Sequence, residues 1–273
     1  MEVSIIVVTH NSEKYISNCL NSLVKATQNI EHEIFIIDNQ STDQTKMLIK
    51  ECSNSVVLIE NNQNIGLPKA VNICLRKSSG EFILLINPDT IVNSDSLLPL
   101  IDFMRNNPKI GICGIRLENA DRSLQYSKGS FPTLSSTLFR MFLPRPMRKY
   151  HLWGYNNGGK CDWVTGAFML TRKCIMEELG GLDEKYFVYY EDVDYCLQAQ
   201  KRGWLTYYFP NITACHLNPH AISKRTLLLE NEIRKSRLYY FKKNNSIISY
   251  GILRILTWMP KMLSYPPFKE PKI

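Results

Sequence analysis

Four short apolar runs, separated by helix-forming segments, constrain the fold of this chain more than any other feature. Val3–Thr9 (VSIIVVT) is almost continuously apolar and β-branched, the mark of a strand covered on both faces. Glu33–Asp38 (EIFIID), Val56–Glu60 and Phe82–Ile86 (FILLI) read as further strands. Between the first two, Ser12 is placed to cap a helix whose apolar positions Tyr15, Ile16, Cys19, Leu20, Leu23 and Val24 recur at helical spacing. Asp43–Cys52 and Leu67–Lys77 read as the next helices, the second with Pro68 in its first turn, where a missing N–H breaks no bond. Asp95–Asn106 adds a helix and Gly111–Leu117 a strand. Strands alternating with helices across short polar connections predict a mostly parallel, doubly wound α/β sheet with helices on both faces. With 273 residues, 44% of them hydrophobic, the chain has enough apolar material to bury such a core.

Ligands on sheets of this kind bind beyond the carboxyl ends of the strands. Those ends are Thr9-His10-Asn11, Asp38-Asn39-Gln40-Ser41, Asn61-Asn62-Gln63-Asn64-Ile65-Gly66 and Asn87-Pro88-Asp89, and they bring amides, hydroxyls and carboxylates to one edge. Any one of them is ordinary turn chemistry; four together point to a polar ligand. Neither G-x-G-x-x-G nor G-x-x-x-x-G-K-[ST] is present. A nucleotide bound here is therefore expected to be held by side chains and a metal. Asp89, at the end of a buried strand and stiffened by Pro88, is a candidate ligand for Mg²⁺ or Mn²⁺, which prefer hard oxygen donors. A turn aspartate is the plainer alternative.

Regular alternation stops at Glu118–Lys160, a segment rich in Gly, Pro, Ser, Arg and aromatics. Its length suits a lid or a partner-binding surface, or a local helix around Leu138 and Phe142. Trp163–Thr171 (WVTGAFMLT) resumes a strand, and Gly166 within it marks a bulge or a close approach by a ligand. Next come the aromatic run YFVYY and the carboxylates Glu191, Asp192 and Asp194, at the start of a helix running to Lys201. Acids crowded behind aromatics suit a general base made stronger by burial and like charge. They also suit the positive end of a helix dipole. Strands at Leu205–Phe209 and Ile212–Cys215 lead to His216, a structural histidine or a metal ligand.

Eight cysteines without a C-x-x-C pair, mostly in apolar surroundings, fit a reducing compartment. No secretory pattern opens the chain, so a cytoplasmic location is expected. Up to Ile222 the cationic and anionic residues balance, so the whole net charge of +8 belongs to the segment from Ser223 on. There a helix over Thr226–Lys243 precedes Ile247–Tyr265, which is apolar but broken by Arg254, Pro260 and Lys261. Two readings stand: a peripheral contact at the inner face of the cytoplasmic membrane, or a helix completing the core with its lysines in water. No recognised nucleic-acid motif accompanies the charge, so no nucleic-acid partner is expected.

Together these pieces resemble the family 2 glycosyltransferases of the GT-A fold, especially their bacterial rhamnosyltransferase-like branch. The pieces are IIVVTHNS, IIDNQSTDQT, Asn64-Gly66-Ala70-Asn72, LLINPD, WVTGAFML, GGLDEKYFVYYEDVDYCLQAQKRGW and His216, and they run from Val3 to about Asn244. The resemblance implies a nucleotide-sugar-binding half (1–117), an acceptor-binding and catalytic half of the same domain (118–222), and a basic helical extension (223–273). It implies that Thr9, Asn11, Asp38, Asn64, Gly66 and Asn72 flank the nucleotide. Asp89 matches the last acid of the family's D-x-D element, whose first position is Asn87 here; that change makes a contribution from His216 to the metal more plausible. Asp192 matches the catalytic base, with Trp163, Gly166, Glu191 and Asp194 on the acceptor side.

The reaction so implied is inverting transfer of a sugar, a deoxyhexose such as rhamnose, from a dTDP- or UDP-linked donor. The acceptor is a hydroxyl of a bacterial surface glycan or of a polyprenyl-diphosphate-linked precursor. Two alternatives fit the residues less well. A nucleotidyltransferase needs a glycine-rich phosphate loop that Thr9–Ser12 does not provide, and a non-catalytic binding module has no use for a base at Asp192.

Overall fold

The computed structural model describes residues 1–52, 56–94, 96–142, 155–217 and 227–258. Its first half alternates strands β1 (Val3–Thr9), β2 (His32–Asn39), β3 (Val56–Asn61) and β4 (Phe82–Ile86) with helices α1 (Ile16–Ala26), α2 (Thr45–Cys52) and α3 (Leu67–Leu75). The remaining elements of this half are β5 (Thr90–Val92), α4 (Leu97–Asn106) and β6 (Ile110–Glu118). The second half contains β7 (Lys128–Gly129), α5 (Leu134–Phe142), β8 (Gly159–Cys161), β9 (Trp163–Val164), β10 (Phe168–Arg172), α6 (Lys173–Leu179), α7 (Glu191–Lys201) and β11 (Leu205–His216). Helices α8 (Leu227–Asn244) and α9 (Ile247–Trp258) follow.

The main sheet has the order β3-β2-β1-β4-β10-β6-β11-β5, with β8 also paired to β11. β1 lies parallel between β2 and β4, as its apolar run requires. Alternate residues serve opposite faces. Val3, Ile5 and Val7 pack with α1 and α4 residues such as Leu20, Leu23, Leu100 and Met104. Ile6 packs on the other side with Ala70, Val71, Met169, Ile175 and Val193.

Three sequence expectations change. WVTGAFMLT is two strands rather than one, because the chain turns at Thr165–Ala167 between β9 and β10. β10 then runs antiparallel to both β4 and β6, so the second half completes the first half's sheet. The strands expected on either side of Pro210 are one strand, β11, whose register against β6 shifts between Phe209 and Thr213. A bulge there tolerates a proline without a ladder N–H. Ser12 gives α1 no side-chain cap; its backbone N–H donates to Thr45 Oγ1 at 2.7 Å and its carbonyl receives Tyr15 N and Ile16 N.

The C-terminal helices add to the core and also present apolar side chains outward. Tyr240, Phe241 and Leu253 are buried in the second core, whereas Ile247, Ile248, Ile252 and Ile255 of α9 are exposed. No helix among the described residues is long and apolar enough to cross a membrane. His220, most of the 143–160 stretch and the tail from 259 lie outside the described residues.

Candidate active site

The ends of β1, β2 and β3 form one hydrogen-bonded edge. Parallel register sets Thr9 beside Asp38. Thr9 Oγ1 donates to Asp38 Oδ1 at 3.0 Å, and Ser41 N donates to Asp38 Oδ2 at 2.9 Å. Asn11 N donates to Ser41 Oγ at 2.8 Å, while Asn11 Oδ1 accepts from Thr42 N at 2.9 Å. Asn64 Oδ1 accepts from Gly66 N at 3.1 Å. Gly66 has φ +84°, and a Cβ there would lie 2.7 Å from Phe187 O, so only glycine fits. Leu67 N donates to that same Phe187 carbonyl at 2.8 Å, which ties the donor edge to the aromatic run. Asn39 links the two loops, with Nδ2 donating to Gly66 O at 3.2 Å and Oδ1 accepting from Asn61 Nδ2 at 2.8 Å. Sequence reading passed over Asn39 as one polar turn residue among many.

The end of β4 meets the end of β11. His216 Nε2 lies 3.1 Å from Asp89 Oδ1 and 3.2 Å from Asn87 Nδ2. Leu217 N donates to Asp89 O at 2.9 Å, so the two segments are also joined through the backbone. Both side chains of the pair are largely buried, with 9% and 13% exposure. A carboxylate oxygen and an imidazole nitrogen suit a divalent cation in type, and their separation is that of neighbouring ligands in an octahedron with bonds of about 2.1 Å. Among the described residues no group of three or more His, Cys, Asp or Glu gathers to hold a metal. Asp89 and His216 would therefore hold the ion in part, its other ligands coming from water and substrate phosphate, as Mg²⁺ sites commonly do.

Asn87, Gly166, Glu191 and Asp192 line one small hollow with apolar walls that include Ile6, Val71 and Met169. The turn between β9 and β10 brings Gly166 N within 3.1 Å of Asp192 Oδ2, and Val193 N donates to Asp192 Oδ1 at 2.8 Å. Burial raises the Asp192 pKa, and these two N–H donors partly offset the rise. Glu191 is 6% exposed, and its Oε2 has no hydrogen-bond partner among the described residues. Burial first, and the neighbouring Asp192 charge second, push its pKa well above the usual carboxylate range. Both carboxyls of the pair are thus held above the usual carboxylate range by burial. Just ahead of the acids, Tyr189 and Tyr190 have φ of 67° and 69°, a left-handed conformation unfavourable for bulky residues.

The other expected site residues have different partners. Asn72 clamps the turn after α6: its Nδ2 donates to Leu182 O at 2.9 Å and Glu184 Oε1 at 3.0 Å, and its Oδ1 accepts from Leu182 N at 2.9 Å. Asp194 faces α8, where it receives Lys243 Nζ at 2.6 Å and Asn244 Nδ2 at 2.7 Å. Asn72, Asp194 and Lys243 line a second, polar hollow apart from Asp192. Trp163 is packed edge-on against Tyr126 at 5.2 Å and donates to Ser130 O at 3.0 Å. Lys243 was unforeseen as a partner because it lies 49 residues from Asp194; the charge of the tail was the only sequence signal for it. It also reaches Asp183 Oδ2 at 2.7 Å. Ser236 Oγ of α8 donates to Val188 O at 2.8 Å, beside the two left-handed tyrosines.

A doubly wound sheet with polar strand ends, an Asn-Pro-Asp turn and an acid-led helix across the hollow has the GT-A architecture. Comparison with known proteins agrees. The profile of Glycosyl transferase family 2 matches residues 4–178, and the chain belongs to that family of glycosyltransferases. It is 29% identical over 226 residues to the rhamnosyltransferase WbbL of Escherichia coli, covering 80% of this chain and 84% of that one. It is 27% identical over 240 residues to the N-acetylglucosaminyl-diphospho-decaprenol L-rhamnosyltransferase of Mycobacterium tuberculosis, covering 81% and 77%. Among solved structures, Staphylococcus aureus TarS 1–349 in complex with UDP-GlcNAc superposes with a TM-score of 0.59 at 19% identity, over 93% of this chain and 70% of that chain. The mannosyltransferase PcManGT from Pyrobaculum calidifontis, in complex with GDP-Man and Mn²⁺, gives 0.58 at 14% identity, over 94% and 79%.

Proposed function

We propose that this glycosyltransferase moves a deoxyhexose such as rhamnose, with inversion, from a dTDP- or UDP-linked donor to a hydroxyl of a lipid-linked glycan precursor. The observation that carries this reading is Asp192, a carboxylate of raised basicity held by Gly166 N in a hollow shared with Asn87. Names of similar proteins support the sugar and the lipid-linked acceptor.

In the proposed reaction the acceptor hydroxyl oxygen attacks the anomeric carbon from the face opposite the diphosphate. As the new C–O bond forms and the C–O bond to the diphosphate breaks, Asp192 takes the hydroxyl proton. General-base help of this kind contributes about 10²–10⁴-fold. Gly166 N and Val193 N orient the carboxylate, and the apolar wall limits competing water. Asp89 and His216 would hold Mg²⁺ or Mn²⁺. The chemistry a bound cation supplies is neutralisation of charge on the departing diphosphate. Thr9, Asn11, Asp38, Asn64 and Gly66 shape the nucleotide edge.

The exposed isoleucines of α9, beside exposed Arg254 and Lys242, support a peripheral contact with an anionic membrane where such an acceptor resides. Sedimentation with anionic but not neutral vesicles is the expected behaviour; a chain left in the supernatant with both removes this contact.

The activity is tested by incubating the protein with dTDP-rhamnose or UDP-sugars, Mn²⁺ and a polyprenyl-diphosphate-linked acceptor, followed by mass spectrometry and NMR of the product. One added deoxyhexose with inverted anomeric configuration is expected. Retained configuration, or transfer only of a nucleotidyl group, overturns the reading.

A further inference from the structure

Gln125 lies in the irregular segment after β6, and no sequence pattern singled it out. Beyond β6 the chain reverses tightly at Asn119–Ser123, where Asn119 N donates to Ser123 O at 2.8 Å. Leu124 then bridges back to Glu118, and Gln125 N donates to Leu117 O at 2.9 Å. Cys215 of β11 is in register with the same Glu118. The reversal thus brings Gln125 against the end of β11, where it is 7% exposed.

Its amide holds His216 at two points. Nε2 donates to His216 O at 2.6 Å and faces Glu118 O at 3.4 Å, and Oε1 lies 2.9 Å from His216 Nδ1. The two backbone carbonyls fix which way the amide points, since only its NH₂ end can serve them. The oxygen end is therefore the one that faces the ring, so Nδ1 carries the proton and donates it to Gln125 Oε1. Nε2 is thereby the nitrogen turned toward Asn87 Nδ2 at 3.2 Å and Asp89 Oδ1 at 3.1 Å, and in the neutral ring it is the one free to bind a cation. A hydrogen bond to the far ring nitrogen is the usual way a protein fixes the tautomer and angle of a ligating histidine.

We propose that Gln125 is a positioning residue for the divalent cation, holding the His216 ring with Nε2 directed at the space beside Asp89. The proposal rests on the reading that Asp89 and His216 hold that cation. Gln125 touches neither the reacting atoms nor the nucleotide; it acts through His216.

The test measures Mn²⁺ affinity in the presence of UDP, by the electron paramagnetic resonance signal of free Mn²⁺, together with UDP affinity without metal. The proteins are the full chain and its Gln125→Leu, His216→Ala and double variants, with Gln125→Met, which keeps side-chain length, in place of the leucine variant if that does not fold. Gln125→Leu is expected to weaken Mn²⁺ binding by about tenfold or more and to leave metal-free UDP binding within about twofold. In the His216→Ala background the same change is expected to add nothing. Unchanged Mn²⁺ affinity in Gln125→Leu, where His216→Ala weakens it, overturns the role of Gln125 and leaves the cation reading intact. An equal loss in both backgrounds shows that the residue acts structurally and not through His216. Unchanged Mn²⁺ affinity in His216→Ala itself overturns the cation reading and the proposal with it.

Discussion

Asp38 and Glu191 are both buried carboxylates, 1% and 6% exposed, in opposite circumstances. Asp38 accepts Thr9 Oγ1 and Ser41 N and joins two loops of the donor edge. Glu191 has an oxygen without a partner, apolar walls and an acid beside it. The first arrangement is an acceptor with its hydrogen bonds satisfied; the second, desolvated and beside another acid, favours a neutral carboxyl. One side of the site is thus shaped by satisfied hydrogen bonds, and the other holds acids in a desolvated setting, which suits the proposed base.

Substitutions break this contrast in graded steps. Asp192→Asn removes the proposed base, and the transfer rate is expected to fall about 10²–10⁴-fold while donor affinity by calorimetry stays within about twofold. Normal turnover would remove Asp192 from its role. Asp38→Ala leaves the Thr9 hydroxyl and the Ser41 N–H without their acceptor, an expected loss of about 2–4 kcal/mol in urea unfolding, with weaker nucleotide binding. Lys243→Met takes from Asp194 and Asp183 a cation that is itself 29% exposed. Discounted for solvent screening, the expected loss is about 1–2 kcal/mol, with a lower transfer rate and unchanged donor affinity.

The smallest change has the opposite sign. The folded-state pKa of Glu191 lies well above its ordinary value of 4.5. The unfolded chain therefore releases this proton first, and stability is lost as pH rises from about 4.5 through the folded pKa. Glu191→Gln removes that loss. The expected result is a Tm gain of about 2–4 °C at pH 8, equivalent to about 1 kcal/mol, and little change at pH 4. A substitution that destabilises equally at both values shows that the charge is accommodated after all.

The sequence made plain those parts of the fold that depend on periodicity along the chain. β4 and α7 fall at Phe82–Ile86 and Glu191–Lys201 as expected, because an unbroken apolar run and an acid-led helix have unambiguous ends. The strand ends with their polar side chains were legible for the same reason. What it concealed is set by partners distant in the chain. Gly166 signalled a bulge or a close approach, but not a full turn; that comes from Asp192 Oδ2, which accepts its N–H from 26 residues away. Gln125 sits 91 residues from His216, and Asn72 clamps Leu182 from 110 residues away. Such pairs leave no spacing pattern, and their side chains look like ordinary turn polarity.

Tyr189 and Tyr190, left-handed in succession, make the geometry of the proposed catalytic acids depend on a distant part of the chain. Two such residues together store a few kcal/mol and keep their geometry only while something restrains them, here Ser236 on Val188 O and Tyr240 against Tyr190 at 5.5 Å. A chain cut after β11 would retain every strand of the sheet and every proposed donor contact, yet this corner would lose the restraint from Ser236 and Tyr240. The minimal nucleotide-binding unit and the minimal catalyst are thus expected to differ by one helix, so α8 belongs in any fragment, graft or designed chimera meant to transfer sugar.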